Sequence, residues 1–413
     1  MTKIITRRTL IKSAPAVGIV TLAVPAIVRA AALGSHPPHF TGRNGFVELV
    51  AANTTIPSFT VSGGTGGTGF PWPGQPGNLV GYAADPGYTG TLTPHTGGLV
   101  NGGTYSQFLF DAGVGTTSVS NSGVTFNGCY FGSSVGNCPT SGVCICARYT
   151  GTIGTVAPVS NFCTFAPSPS VIGGTFPPQP PSGGGYATWP SLNSTSGIGE
   201  LSTYQYGAWT YGGFPVATEV FRSCDMWGFS NGIMIEKTNG PIIVDNCWLH
   251  DPADPSPGGE HTDGVGDVQS QGNDFISNLT INHCTISFLG NTEAIAMQMT
   301  TTDVCTNWTI TNNYLGGESY TIWFGDPVPN TFTGINFSNN VFGHLMMALY
   351  GTVQHAELWP TQFSRAGSGN FWRTNTFDGG NYNLNGGSLV NVPAGQYCWP
   401  DGLNHATDWT GAF

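Results

Sequence analysis

The sequence predicts an all-β protein, a single-stranded right-handed parallel β-helix: a solenoid with loop excursions over residues 33–413. Two observations predict this fold. Short alternating apolar segments recur with a Cys or an Asn at one fixed place, and Gly, Thr, Ser and Asn abound while charged residues make up only 8% of the chain. Such a composition is typical of strands and turns. Because one repeat cannot bury its apolar face alone, we expect the repeats to stack.

The amino terminus predicts a signal peptide over residues 1–32. The paired Arg7 and Arg8 precede an apolar run from Ala14 to Val28 and an Ala-rich end. These arginines resemble the twin-arginine export signal, which sends folded proteins across the bacterial inner membrane. A plain secretory signal or an uncleaved anchor is the alternative, but the run is shorter than the roughly 20 residues that span a bilayer. We therefore expect a periplasmic or secreted protein with no membrane partner after cleavage.

The charge of the mature chain limits its partners. Five of the 11 basic residues lie in the signal peptide, so 6 basic residues remain against 22 acidic ones, a formal charge of −16. Nucleic acid and anionic membrane surfaces are poor partners for such a protein. The same charge favours a neutral or weakly charged polysaccharide over a polyuronide.

The repeat is marked by cysteines and then by asparagines. The marks are Cys129, Cys163, Cys224, Cys247, Cys284, Asn313 and Asn340. From Cys224 onward they are 23, 37, 29 and 27 residues apart. If each repeat is one coil, equivalent side chains stack about 4.8 Å apart. We expect the stacked Asn amides to bond one another, and Cys224, Cys247 and Cys284 to be small buried apolar residues.

A second group of cysteines predicts a disulfide. Cys138, Cys144, Cys146 and Cys163 lie in a loop-rich stretch, and a metal site is the alternative interpretation.

The chain divides into three parts along the predicted solenoid. Residues 33–123 are expected to hold an amino-terminal cap and the first coils, 124–370 the main coils, and 371–413 a carboxy-terminal cap that protects the open end from strand addition. Each repeat also carries a second strand. These strands are Gly232–Ile235, Gly264–Val268, Ala294–Gln298 and Tyr320–Phe324.

This style of repeat resembles the pectin-lyase-like superfamily of β-helix proteins over most of residues 100–390. The superfamily includes pectate lyases, polygalacturonases and phage tailspikes, so the resemblance implies the fold more strongly than the reaction. The segment His261-Thr262-Asp263-Gly264 looks like the Asn-Thr-Asp motif of polygalacturonases. The other motifs of those enzymes are missing, so Asp263 alone is carried over.

One coil carries an extra loop, residues 251–259, that leads into His261 and Asp263. Loops that interrupt a solenoid usually line its binding face. Aligning the second strands places Asn231, Asp263 and Glu293 in one column, with Asp263 and Glu293 on adjacent coils. The sequence therefore predicts two carboxyl groups about one coil spacing apart.

Such a pair suits glycoside hydrolysis. Neighbouring like charges keep one carboxyl protonated as an acid while the other is ionised. Retaining enzymes hold the pair about 5 to 5.5 Å apart and inverting ones about 6.5 to 9.5 Å, and Asp267 offers the wider spacing. His261 would orient or protonate. In the alternative interpretation, Asp263 caps a turn and Glu293 bonds backbone amides.

The residues predicted to bind substrate lie in the same coils, and tryptophan rings there would be flat platforms for sugars unless buried in the stack. They are His250, Trp248, Trp323, Lys237 and Gln298.

The sequence thus predicts a secreted enzyme that cleaves a polysaccharide, in first place a glycoside hydrolase. One alternative is a calcium-dependent lyase, with Arg222 or Lys237 as the base and Asp263, Asp267 and Glu293 as ligands, since Ca²⁺ takes six to eight oxygens. The other is a non-catalytic glycan-binding surface protein. Calcium is the one cofactor left open, and the oligomeric state is also open.

Overall fold

The computed structural model describes residues 80–111, 117–133, 144–150, 157–167, 205–211, 219–227, 229, 231–236, 240–250, 263–267, 275–288, 293–297, 302–317, 320–324, 331–343, 367–384, 389–400 and 403–410. The predicted signal peptide lies outside these residues. The described part is all-β apart from a 3-10 turn at Tyr82–Ala84. None of the described residues forms a helix long and apolar enough to cross a membrane.

Three long sheets form because each coil of the chain contributes one strand to each of them in turn. Within the described residues, sheet A consists of β1 (Thr93–Pro94), β3 (Phe108–Asp111), β6 (Tyr130–Ser133), β9 (Thr164–Pro167), β12 (Asp225–Trp227), β15 (Trp248–His250), β19 (Thr285–Phe288), β23 (Tyr314–Gly317), β27 (Val341–Phe342), β29 (Thr376–Phe377), β32 (Tyr397–Cys398) and β33 (Asn404–His405). Sheet B consists of β2 (Thr104–Ser106), β5 (Thr125–Asn127), β8 (Val159–Asn161), β11 (Glu219–Arg222), β14 (Ile242–Asp245), β18 (Leu279–Asn282), β22 (Thr309–Thr311), β26 (Asn336–Ser338) and β28 (Phe371–Arg373).

Sheet C is the shortest of the three and contacts sheet A. Its described strands are β4 (Thr117–Val119), β7 (Cys144–Thr150), β10 (Gln205–Tyr211), β13 (Asn231–Glu236), β16 (Val265–Asp267), β20 (Glu293–Ala296) and β24 (Tyr320–Trp323). Later coils add a small sheet D of β17 (Phe275–Ser277), β21 (Val304–Thr306) and β25 (Thr331–Thr333). Neighbouring strands of these four sheets pair in parallel, except for β32 and β33 at the end of sheet A. The predicted parallel β-helix is confirmed.

Like residues stack inside the coils. In sheet A, the ring centroids of Phe110 and Phe131 lie 5.0 Å apart and those of Phe131 and Phe165 lie 4.9 Å apart. The ring planes in each pair are nearly parallel. In sheet B, Phe337 stacks on Trp372 at 4.4 Å. Offset aromatic stacks of this kind add to the free energy gained by burying the rings.

The turn from sheet B to sheet A repeats in nine described coils with one residue in the left-handed region, at φ between 52° and 60°. We call these residues the turn row: Gln107, Gly128, Phe162, Ser223, Asn246, His283, Asn312, Asn339 and Thr374. Asn and Gly adopt this backbone conformation most readily, and they hold four of the nine positions, Gly128, Asn246, Asn312 and Asn339.

From Gly128 onward, the residue after each of these turns is buried and forms what we call the inner row. Its members are Cys129, Cys163, Cys224, Cys247, Cys284, Asn313, Asn340 and Asn375. The predicted bonding between stacked amides is confirmed, since Asn313 Nδ2 donates to Asn340 Oδ1 at 2.9 Å. Cys224, Cys247 and Cys284 are buried free thiols, also as predicted.

The disulfide predicted for the second cysteine group is wrong for Cys163. Its thiol is free and buried in the inner row, where Sγ donates to the Phe126 carbonyl at 3.8 Å. Its position follows the periodicity of the repeat and not the loop-rich sequence around it. Cys138 and the side chains of Cys144 and Cys146 lie outside the described part of the molecule.

Parallel pairing continues past residue 370. Residues Phe371–Arg373 and Thr376–Phe377 still pair in parallel with the coil before them. Antiparallel pairs follow, β29 with β32, β32 with β33, and β31 (Leu389–Val392) with β30 (Gly380–Asn383). The cap therefore starts after Phe377, and its change of strand direction blocks continuation of the parallel stack.

Candidate functional site

The predicted column of polar residues exists at the edge of sheet C. Ile233 pairs with Val265 and Val265 with Ile295, which sets Asn231, Asp263 and Glu293 at equivalent positions. Backbone bonds agree, because Gly264 N donates to the Glu293 carbonyl at 3.0 Å. The two acidic residues therefore occupy adjacent coils, about 4.8 Å apart along the axis.

A corner of the backbone fixes this column. Gly232 and Gly264 lie where the chain enters sheet C, and a Cβ at Gly264 would collide with Ile286 of the core. Asp263 stands just before this corner, and its N–H donates to Asn231 Oδ1 at 2.9 Å. The tight corner excludes any larger side chain at Gly264 and so holds Asp263 in place.

Both carboxyl groups are covered rather than open to solvent. Asp263 is 3% exposed and Glu293 is 0% exposed. Aligning the second strands of the repeats predicted the coil and the register of these two residues but not their burial. Their roles as acid and base stay predictions.

Asp267 lies apart from this pair. It is 4% exposed and occupies the core-facing position of β16 next to Val265. Its charge, with that of Asp303, acts on the buried Cys305 thiol, whose pKa is raised mainly by burial. The structure thus brings Asp263 and Glu293 together and directs Asp267 to a different neighbourhood.

The outer face of sheet C carries a column that we call the tryptophan column. Its members alternate with core residues, and they are Trp209, Met234, Gly266, Ala296 and Trp323. Trp209 and Trp323 are half-buried at its two ends. Four coil spacings separate them, about 19 Å. Trp323 thus has the partial exposure expected of a sugar platform.

Trp248 does not have that exposure. It is 1% exposed and belongs to the hydrophobic core, so its ring presents no face to a ligand. The prediction of a substrate platform there is corrected to a buried member of the stack. The reason is its register, since Trp248 pairs with Thr285 in a column that is covered along its length.

Other predicted residues fall partly outside the described structure. His261, Lys237 and Gln298 lie outside the described residues, and so does the side chain of His250. Arg222, proposed as a lyase base, lies on sheet B, where Nε is 3.4 Å from Asp245 Oδ2. It does not share a sheet with Asp263.

The calcium alternative finds no cluster in the described structure. Among the described residues, no three His, Cys, Asp or Glu side chains are placed to hold one metal ion. Asp263, Asp267 and Glu293 therefore do not form the predicted ligand set.

Glu219 is a buried carboxyl that the sequence analysis did not single out. It begins β11 with its side chain in the core, and Thr210 Oγ1 donates to Oε2 at 2.6 Å. Burial raises its pKa to about 8, against which the Thr210 bond acts weakly. The signal in the sequence was an acid that starts an apolar run, Glu219-Val-Phe.

No family model, no curated protein and no solved structure matches this chain.

Proposed function

We propose that this chain is an exported β-helix protein that binds a polysaccharide along the tryptophan column and cleaves it with Asp263 and Glu293. The observation that carries the proposal is the register that stacks these two carboxyl groups on adjacent coils. One coil spacing approaches the carboxyl separation of retaining glycosidases, about 5 to 5.5 Å.

The tryptophan column supplies the binding surface in this proposal. Trp209 and Trp323 are half-buried at the two ends of the column, whose middle members Met234, Gly266 and Ala296 are buried. Indole faces pack against the apolar faces of sugar rings, so the two end residues are the proposed contacts. The few basic residues of the mature chain favour a neutral glycan.

The export route and the wider family belong to the same proposal. The Arg7–Arg8 signal supports export through the twin-arginine route to the periplasm or beyond. The stacked parallel sheets support membership of the pectin-lyase-like superfamily, and no calcium dependence is part of the proposal.

The test is turnover on a panel of neutral and acidic polysaccharides, with and without calcium. New reducing ends without ultraviolet absorbance are expected, and Asp263→Asn and Glu293→Gln should each lower the rate 10²- to 10⁴-fold or more. Asp303→Asn is the matched control, since Asp303 is equally buried but acts with Asp267 on Cys305. Absorbance that a chelator abolishes would indicate the lyase instead.

Glycan binding without catalysis is the second candidate, and the burial of both carboxyl groups favours it. The two candidates differ in what Asp263→Asn changes. A hydrolase loses turnover and keeps affinity, whereas a binding protein shows no turnover before the substitution and unchanged affinity after it.

A further inference from the structure

We infer that a cleft at the amino-terminal end of the turn row is a second carbohydrate site, which binds a single uncharged sugar unit. The cleft has a volume of about 380 Å³. This lies within the range of pockets that take small ligands. Its lining includes Asp85, Ser106, Gln107, Asn127, Asn161 and Phe162. These residues belong to sheet B, the turn row and a preceding segment, and none belongs to sheet C.

One wall of the cleft is a strap, residues 80–90, that crosses the first four coils. Gly81 N donates to the Ser223 carbonyl at 2.9 Å, and Tyr82 N donates to Thr164 Oγ1 at 3.2 Å. Further along, Asp85 Oδ2 accepts from Gln107 Nε2 at 3.0 Å. The strap is therefore bonded to the coils on both sides of the cleft.

Gly128 makes this wall possible. A Cβ at Gly128 would collide with both the Asp85 carboxylate and the Gln107 amide, and its φ of 56° is itself left-handed. The Asp85–Gln107 pair thus lies directly on the turn in a place that no other residue type leaves free.

The opposite wall is a ladder of amides. Asn161 Nδ2 donates to Asn127 Oδ1 at 3.0 Å, and Asn127 Nδ2 donates to Ser106 Oγ at 3.4 Å. Each Nδ2 has a second N–H beyond these bonds. Gln107 Oε1 is also buried with no hydrogen-bond partner in the described structure. The lining of the cleft therefore combines amide donors and acceptors, the kinds of group that bond sugar hydroxyls.

Phe162 is the member of the turn row that indicates a binding site. Its φ of 52° is costly for a bulky side chain, and the other described positions hold Gly or polar residues. A strained, half-buried aromatic residue at a cleft is a signal of function rather than of stability. Its ring supplies the apolar surface against which the C–H face of a sugar packs.

The charges of the lining select a neutral ligand. Among the described residues, no Lys, Arg or His lines the cleft, which disfavours phosphate and uronate groups. Arg222 in the next coil is directed to Asp245. The one carboxylate, Asp85, already accepts from Gln107 and from Gly87 N at 2.8 Å, which weakens its attraction for a bare cation.

The test begins with the mature protein and free glucose, galactose, mannose, xylose and N-acetylglucosamine, followed by ligand-observed NMR and calorimetry. At least one sugar should bind. Phe162→Asn should weaken that binding at least 10-fold while the thermal midpoint stays equal or rises, because Asn adopts the left-handed conformation readily. The matched control is His283→Asn, the same substitution type at an equivalent turn, which should leave binding unchanged.

Two further results decide between this site and the tryptophan column. A protein with both Trp209→Ala and Trp323→Ala should bind polysaccharide more weakly and bind monosaccharide as before. The proposals for the two sites are therefore tested independently. The inference is overturned if none of the sugars binds, or if Phe162→Asn binds as the wild type does. It is also overturned if calcium chloride alone binds and Asp85→Asn removes that binding.

Discussion

The thiol half and the amide half of the inner row both bond the backbone of neighbouring coils, but with different chemistry. The thiol half is Cys129, Cys163, Cys224, Cys247 and Cys284, and the amide half is Asn313, Asn340 and Asn375. In the thiol half, Cys247 N donates to Cys284 Sγ at 3.4 Å, and Cys247 Sγ donates to the Phe221 carbonyl at 3.3 Å. In the amide half, Asn313 N donates to Asn340 Oδ1 at 3.0 Å, and Asn313 Nδ2 donates to the Ile281 carbonyl at 2.9 Å. The backbone partners are equivalent.

The two side chains differ in the number of hydrogens that they can donate. A thiol has a single S–H, whereas an amide has two N–H groups, and the second one bonds the next amide oxygen along the row. The amide half is therefore a continuous polar chain, while the thiol half behaves as an apolar column with weak polar contacts. One backbone accepts either, which explains why Cys in the earlier coils and Asn in the later coils mark a single repeat.

Breaking the amide half should have the largest effect on stability. Asn340→Ala removes an acceptor for Asn313 and a donor to the Ile310 carbonyl at 2.9 Å, and so leaves buried groups unsatisfied. We expect the free energy of unfolding to fall by roughly 4 kcal/mol. Urea unfolding of the mature protein measures it. A loss below that of Cys247→Ala would contradict the comparison.

Glu219, which lies in a coil of the thiol half, adds a pH dependence. Its folded pKa of about 8 exceeds the ordinary value of 4.5, so between these values the folded state holds a proton that the unfolded state has lost. Stability is full below pH 4.5 and falls as pH rises to 8, by roughly 1.4 kcal/mol per unit at most. From pH 6 to 8 we expect a fall of roughly 2 to 3 kcal/mol.

Glu219→Gln should flatten this slope, because the amide does not titrate in that range. Thermal or urea unfolding at pH 6, 7 and 8 measures it. Thr210→Ser keeps the hydroxyl donor and is the control that should retain the wild-type slope. A variant profile parallel to that of the wild type would exclude Glu219 as the source.

Breaking the thiol half should have a smaller effect. Cys247→Ala deletes a buried sulfur atom and its weak bonds, at a loss of about 1 to 2 kcal/mol in the free energy of unfolding. Urea midpoints measured beside those of Asn340→Ala give the ratio of the two halves. Equal losses would mean that the amide bonds add nothing beyond packing.

Moving the boundary between the halves should have the smallest effect. Cys284 N already donates to Asn313 Oδ1 at 2.8 Å, so Cys284→Asn extends the amide chain by one coil. We expect a change within about 1 kcal/mol, since the added polar groups meet partners that are in place. Calorimetric unfolding checks it, and a loss comparable to that of Asn340→Ala would show that the boundary is fixed by shape.

The marks of the repeat made the fold predictable, because each mark follows a left-handed turn that recurs in every described coil. The same periodicity placed Asp263 and Glu293 in the correct register. Burial was less predictable, since Trp248 and Trp323 look alike in sequence while one is core and the other half-buried. Phe162 could not be recognised, because its strain depends on a backbone angle and its cleft depends on a distant strap.

The thiol half also bears on how the protein is made. Burial raises the pKa of the Cys163, Cys224 and Cys284 thiols well above their ordinary value, whereas at Cys247 burial is outweighed by hydrogen bonds with Cys224 and Cys284, which lower its pKa. All four thiols are buried, and burial keeps oxidants away from them. A chain threaded unfolded into an oxidising compartment would present these thiols one after another for mispairing. A chain folded before it crosses, as proposed for the twin-arginine route, arrives with its column already closed. Under that proposal the thiols are buried in the reducing cytoplasm, and the protein crosses the membrane with them still reduced.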